Sequence, residues 1–219
     1  MKNRPDIIFE DENIIVIYKP AGLPVQTASV AKEDVCSILK NHLKGGYLGV
    51  VHRLDQPVEG LLVFSKNART SAYLTEELSH GSLKKSYRAV SYGECGEGGT
   101  DTCFMKKTGE GFCEIGEGDD YKKAVLSYTP LWSGDGITLF SIEIETGRFH
   151  QIRAQMAHLG FPLLGDMKYG SKESKEFSND KGIKFPALCA DKLSVELPGS
   201  KTVKEFTVTP ENPAFDLCR

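Results

Sequence analysis

Thr138-Leu139-Phe140-Ser141-Ile142-Glu143-Ile144-Glu145 is the stretch on which the fold class turns. Thr138, Phe140, Ile142 and Ile144 share one face, and Glu143 and Glu145 share the other, the period of two expected of a strand with one buried side. Just beyond it the period changes. Phe149 to Leu159 reads as a helix, with His150, Arg153 and Ala157 on one face, Ile152, Met156 and Leu159 on another, and Gly160 and Pro162 as its stop.

Outward from this pair, strands continue to dominate. Ile7-Ile8-Phe9 and Ile14 to Tyr18 flank a polar turn and predict a hairpin, which Lys19-Pro20-Ala21-Gly22 ends. Further strands are predicted at Gly49 to Val51, Leu61 to Phe64, Ser86 to Ser91, Ala124 to Thr129, Leu193 to Leu197, and around Phe206 and Val208. Helices are predicted at Glu33 to Gly45 and at Ala68 to His80, the latter closed by Gly81. Tyr169 to Lys184 is polar and lysine-rich and reads as a mobile loop. Strands and helices do not alternate strictly, and no repeat or linker stands out. The pattern predicts an α+β class with a mostly antiparallel mixed β-sheet and flanking helices, in one domain over residues 1–219.

Composition excludes several classes. The chain has 219 residues, 40% apolar and 26% charged, which is ordinary globular usage. No apolar run approaches the roughly 20 residues that span a bilayer. The acidic opening to Glu12 has no apolar stretch of signal-peptide length, so a cytoplasmic location away from membranes is expected. Six cysteines form no CxxC pair and predict free thiols. No HExxH occurs, and His150 and His158 lack a third ligand in sequence, so no metal is expected. The glycines form neither a dinucleotide fingerprint nor a Walker loop, so no nucleotide cofactor is expected. Monomer is the default.

Charge is uneven. The chain carries −3 overall, but Glu94 to Asp120 holds eight acids and two bases, or −6, which leaves +3 for the rest. This segment is rich in glycine and reads as solvated hairpin loops. A polyanion can therefore still bind elsewhere, where basic residues gather.

Four stretches can carry chemistry. Val51-His52-Arg53-Leu54-Asp55-Gln56-Pro57-Val58-Glu59-Gly60 delivers three functional side chains from a strand into a turn; spacing alone favours plain turn chemistry with an Arg53–Asp55 surface pair. Thr146-Gly147-Arg148-Phe149-His150-Gln151-Ile152-Arg153 offers a helix start, with Thr146 as its cap and Arg148 beside it, suited to an anion; an ordinary amphipathic helix fits the pattern as well. Lys84-Lys85-Ser86-Tyr87-Arg88 sets bases and an aromatic on one strand, where Tyr87 either packs beside Ala89 and Ser91 or stacks on a nucleobase. Lys19-Pro20-Ala21-Gly22 reads as a strand-ending turn.

Taken in chain order, these stretches resemble the RluA-type RNA pseudouridine synthases. Asp6 to Gly22 is similar to the family's opening segment. His52-Arg53-Leu54-Asp55 with Gly60 to Lys66 is similar to its catalytic motif, and Lys85 to Ala89 to its tyrosine motif. Thr146 to Arg153 with Gly165-Asp166 and Tyr169-Gly170 resembles its third motif. The resemblance covers most of the chain and implies that family's fold with a central catalytic cleft. It implies Asp55 as the catalytic aspartate, Arg153 as the partner that keeps it ionised, and Tyr87 as the ring that stacks on a flipped uracil. The RNA-facing set it implies is His52, Arg53, Lys84, Lys85, Arg148 and His150, with His52 also supporting its strand. Ribosomal or transfer RNA is the implied partner, and no cofactor is implied.

Val58-Glu59 stands where Thr-Ser is usual, Phe149 where Thr is usual, and Gln155 where His is usual. These departures bear on substrate fit. No N-terminal S4-type RNA-binding module is expected, because the chain opens on the catalytic segment. The rivals are a non-catalytic RNA-binding protein of the same fold and a glycosidase, although the paired carboxylates of a glycosidase are not signalled near Asp55 beyond Glu59.

Overall fold

The computed structural model describes residues 4–29, 32–197, 199 and 202–218. The chain forms two compact units that interleave in sequence, Met1–Lys85 with Cys189–Glu211, and Ser86–Leu188 with Asn212–Arg219.

The first unit is built on a mixed sheet. Strands β1 (Asp6–Glu10) and β2 (Ile14–Lys19) form the expected antiparallel hairpin. Asp11 shapes its turn by accepting from the backbone N–H groups of Asn13 and Ile14. Along its other edge β2 pairs antiparallel with β4 (Glu59–Ser65), Lys19 lying opposite Gly60, and the short β3 (Gly49–Val50) pairs with the end of β4. Strand β10 (Leu188–Glu196) runs parallel to β4 through Cys189–Glu59 and Ala190–Gly60, and β11 (Val203–Thr207) is antiparallel to β10. Every residue of β2 and β4 is buried, as an apolar run with both faces covered requires. Gly60 has φ of +124°, and a Cβ there would lie 2.4 Å from the Ala190 nitrogen, so only glycine lets β4 and β10 approach.

Helix α1 (Val35–His42) is shorter than its expected span. Asp34 and Ser37 form a capping box that sets its start. Helix α2 (Ala68–His80) matches the expected bounds, with Asn67 as its N-cap and Gly81 left-handed at its end. Leu74 of α2 joins Ile14, Val16, Leu61, Val63 and Val195 in the core.

The second unit is an antiparallel sheet in the order β5 (Lys84–Tyr92), β9 (Ile137–Ile144), β8 (Lys122–Gly134), β6 (Gly99–Lys107), β7 (Cys113–Ile115). In β9 the alternation holds: Thr138, Phe140 and Ile142 are buried and Glu143 is exposed. Pro130, which lacks an N–H for the ladder, sits where the β8–β9 register shifts. The acidic stretch is more ordered than expected, because β6 and β7 lie within it; β6 buries Met105 and leaves Phe104 exposed.

Two expectations are corrected here. Helix α3 (Gln151–His158) starts two residues late, after His150 at φ of +53°, and its residues from Gln151 to Met156 are all buried, so it has no exposed polar side. Thr146 does not cap it. Its hydroxyl accepts from the Val125 N–H and donates to the Gln151 side chain, tying the turn to β8 instead. The stretch read as a mobile loop contains helix α4 (Lys172–Asp180), N-capped by Ser171. Its buried positions include Ser174 and Ser178, and Phe177 is its aromatic contact with the core, so the sequence shows little apolar periodicity. All six cysteines are free. Among the described residues no helix is long and apolar enough to cross a membrane.

Candidate active site

In the first unit, β3 runs into the loop that carries His52, Arg53 and Asp55, and β4 leaves it at Glu59. Asp55 is half-buried and Arg53 exposed. The Asp55 carbonyl accepts from the Val58 N–H at 3.1 Å, which closes the turn. The next residue, Gln56, is bound on both sides to the Lys19–Gly22 turn. Its carbonyl accepts from the Gly22 N–H at 2.9 Å, and its side-chain amide donates to the Gly22 carbonyl at 3.0 Å.

Lys19 is the unexpected member. Its side chain is fully buried, and its ammonium donates to the carbonyls of Pro20 (3.0 Å), Leu23 (2.8 Å) and Gln56 (3.0 Å). Each of its three donors therefore meets an oxygen, as a buried charge requires. Burial pushes its pKa down to about 7, while Asp55 and Glu59 act in the opposite sense and favour the charged form. The turn expected to do no more than end a strand thus pins the loop that presents Asp55.

His52 is also inside, 7% exposed, with Nε2 accepting from the Val63 N–H at 3.4 Å. Burial, and then the Lys85 charge, hold its pKa well below 6.5. A buried neutral imidazole bonded to the β4 backbone fits the strand-supporting role expected of His52 better than a phosphate contact. An unfolded chain binds a proton at this position below about pH 6.5 and the native one does not. The His52 contribution is therefore full above pH 6.5 and lost on acidification. His52→Gln is expected to flatten that part of the stability–pH curve in urea unfolding measured from pH 7.5 to 5. An unchanged slope counts against this account. Lys84 is exposed, and Lys85 is half-buried with its pKa lowered by burial to about 8.

In the second unit, Tyr87 is 4% exposed on β5, opposite Ile142. Arg153 sits on buried α3, 5% exposed, and is gripped at one edge by Asp166: Nε to Oδ2 at 2.7 Å and Nη2 to Oδ1 at 2.8 Å. A guanidinium carries five N–H donors in a planar fork, so this bidentate bond and a bond to a second carboxylate are compatible. Asp166 Oδ1 also accepts from the backbone N–H groups of Lys168 and Tyr169. The Tyr169 ring lies 5.2 Å from the guanidinium carbon. Its hydroxyl accepts from the Cys113 N–H and sits 2.9 Å from His150 Nδ1. Burial, mainly, raises its pKa to about 12. Gly165 at φ of +74° makes this turn possible, because a Cβ would fall 2.1 Å from the Phe185 oxygen.

His150 is half-buried and stacks on exposed Phe149. Arg148 is exposed, with Nε donating to the Lys123 carbonyl. Asp166 and Lys19 stand inside the motifs of the resemblance, which imply no role for either. Among the described residues no group of three or more His, Cys, Asp or Glu is placed to hold a metal ion.

The chain is 34% identical to the ribosomal large subunit pseudouridine synthase D of Buchnera aphidicola, over 93% of this chain and 69% of that protein. It is 37% identical to the ribosomal large subunit pseudouridine synthase C of Rickettsia conorii, over 91% of this chain and 66% of that one. Across the curated relatives compared, the chain spans 54% to 70% of their length. A solved structure of human RNA pseudouridylate synthase domain containing 1 shares the fold at a TM-score of 0.80, with 20% identity over 98% of this chain and 87% of that one. Residues 13–158, which hold the Lys19 turn, the Asp55 loop, Tyr87 and Arg153, match the model of the RNA pseudouridylate synthases. With the mixed sheet and these motifs in order, that match places the chain in the RNA pseudouridylate synthase family.

Proposed function

We propose that the protein isomerises specific uridines of structured RNA to pseudouridine, with Asp55 as the catalytic carboxylate, Arg153 as its ion-pair partner and Tyr87 stacking on the flipped uracil. The observation that carries this reading is the anchoring of the Asp55 loop: a fully buried ammonium and three backbone carbonyls fix the turn that presents a half-buried carboxylate. Chains spend buried charge in this way where a functional group must be held in place.

The reaction breaks the N1–C1′ bond, turns the base, joins C5 to C1′, releases the C5 proton to solvent and leaves N1 to take up a proton in its place. No oxidant, reductant or leaving group is needed, because substrate and product are isomers. The base must first leave its stack, at a cost of a few kcal/mol. Positive charge develops on the sugar as the bond loosens, and an ionised carboxylate near C1′ stabilises it. A guanidinium facing a carboxylate favours the charged form of both groups, which is the work proposed for Arg153. Asp166 supports the reading because it fixes the plane of the Arg153 fork. Arg53, Lys84 and Arg148 are exposed and supply cations for phosphates, while Lys85 and His150 are half-buried.

Large-subunit ribosomal RNA is the favoured substrate, from the names of the relatives, and transfer RNA is the second. The test uses both RNAs transcribed with tritium at uridine C5. Tritium release from an unbroken chain is expected. Binding without release would make the protein a non-catalytic RNA binder, and free uracil would make it a glycosidase.

A further inference from the structure

Glu59 replaces a hydroxyl residue in the pattern this chain otherwise resembles, and it is 3% exposed. It opens β4, four residues past Asp55. Its Oε2 accepts from the Tyr18 hydroxyl at 2.8 Å, and its Oε1 accepts from the backbone N–H of Glu211 at 3.1 Å. In the backbone it lies opposite Cys189, where β4 and β10 run parallel. One carboxylate therefore joins β2, the exit of the Asp55 loop and the end of the C-terminal segment of this unit.

The loop is held at two points on neighbouring residues of one strand. Gln56 is bound through its carbonyl to the Lys19 ammonium, and Glu59 through its side chain to the Tyr18 hydroxyl. Successive side chains of a strand point to opposite faces, so these tethers leave β2 on opposite sides. Such an arrangement resists both sliding and twisting of the backbone between them. Serine could not do the same work, because its side chain is shorter by two bonds and carries no charge to set against Lys19.

We propose that Glu59 is a positioning residue for the reaction, which with Tyr18 and Lys19 sets the loop backbone that presents Asp55. Asp55 and Glu59 are the acids that favour the Lys19 ammonium, and Tyr18, Cys189 and Glu211 are the other titratable groups around Glu59. The Tyr18 hydroxyl keeps its proton, since burial and then Glu59 raise its pKa.

This proposal rests on the pseudouridine reading for its kinetics and stands apart from it for its dynamics. Glu59→Gln keeps the shape and removes the charge. Under single turnover its rate is expected to fall about 10- to 100-fold, with RNA affinity within about twofold, the scale of a reacting group displaced by a fraction of an ångström to an ångström. Loss of a neighbouring negative charge disfavours the Lys19 ammonium. If the loop works through the charged Lys19, the rate falls as pH rises past the Lys19 pKa, and that fall is expected to move to lower pH in Glu59→Gln. In Tyr18→Phe, where the carboxylate remains, it is expected to stay in place.

Hydrogen exchange supplies the arm that needs no turnover. The Gly22 and Val58 amides close the loop bonds, and both are expected to exchange about tenfold faster in Glu59→Gln, with the α2 amides unchanged. If Gly22 and Val58 exchange as in the parent protein, the proposal is refuted whatever the activity. It is also refuted if they loosen while the rate is kept, or if the whole unit loosens together. A parent protein that releases no tritium sinks the pseudouridine reading, and the exchange result then decides the tether alone.

Discussion

Asp55→Asn is expected to lower pseudouridine formation on the order of 10⁴-fold or more, the range seen when one member of a catalytic unit is removed. The amide has the shape of the carboxylate but no charge, so it cannot stabilise the positive sugar as N1–C1′ loosens. Nor can it act as a nucleophile or accept a sugar proton, so the result is the same for either role.

The backbone bonds of the turn should survive this change. The loop is closed by the Asp55 carbonyl to Val58 and held by the Gln56 carbonyl to Gly22 and Lys19, all of which are backbone acceptors. Affinity for the RNA is expected within about threefold and the midpoint of thermal unfolding within a few degrees, because phosphate contacts supply most of the binding. Single-turnover tritium release, a gel-shift titration and a thermal melt on one preparation make the comparison. A variant that keeps more than a tenth of the parent rate removes Asp55 from the chemistry.

The contrast between a side chain proposed to react and a backbone that holds also bears on what is legible in the sequence. Asp55, Tyr87 and Arg153 stand out only through the motifs that resemble the family's, because their spacing alone fits turn chemistry and packing. Helix α2 was legible because Asn67, an amphipathic run and Gly81 agree with one another. Lys19 was not, because its three acceptors are backbone carbonyls, which leave no mark on residue choice. Helix α4 was hidden because serines occupy its buried positions; Ser178 donates to the Ser174 carbonyl and accepts from the Gly165 N–H, so its burial is polar. The late start of α3 came from Gln151, whose side chain accepts from the Arg148 N–H and Thr146 hydroxyl and donates to the Val125 carbonyl. A glutamine at a helix start reads as solvent-facing, and here it is an internal brace.

Asp166→Ala is expected to cost about 3–5 kcal/mol of stability, because it leaves the Arg153 guanidinium buried without its carboxylate. Few single changes should cost more, since Asp166 also accepts from the Lys168 and Tyr169 N–H groups and so shapes the following turn. Asp166→Asn keeps the turn acceptor and should lose less. The companion variant Arg153→Met, Asp166→Leu separates folding from chemistry. Removing both charges leaves neither member of this pair buried without the other, so the urea midpoint should recover part of the way toward that of the parent. Activity should not recover, because the guanidinium proposed to pair with Asp55 is gone. Recovery of both together would show that Arg153 serves packing alone. An Asp166→Ala protein as stable as the parent would show that the bidentate pair contributes nothing to the fold.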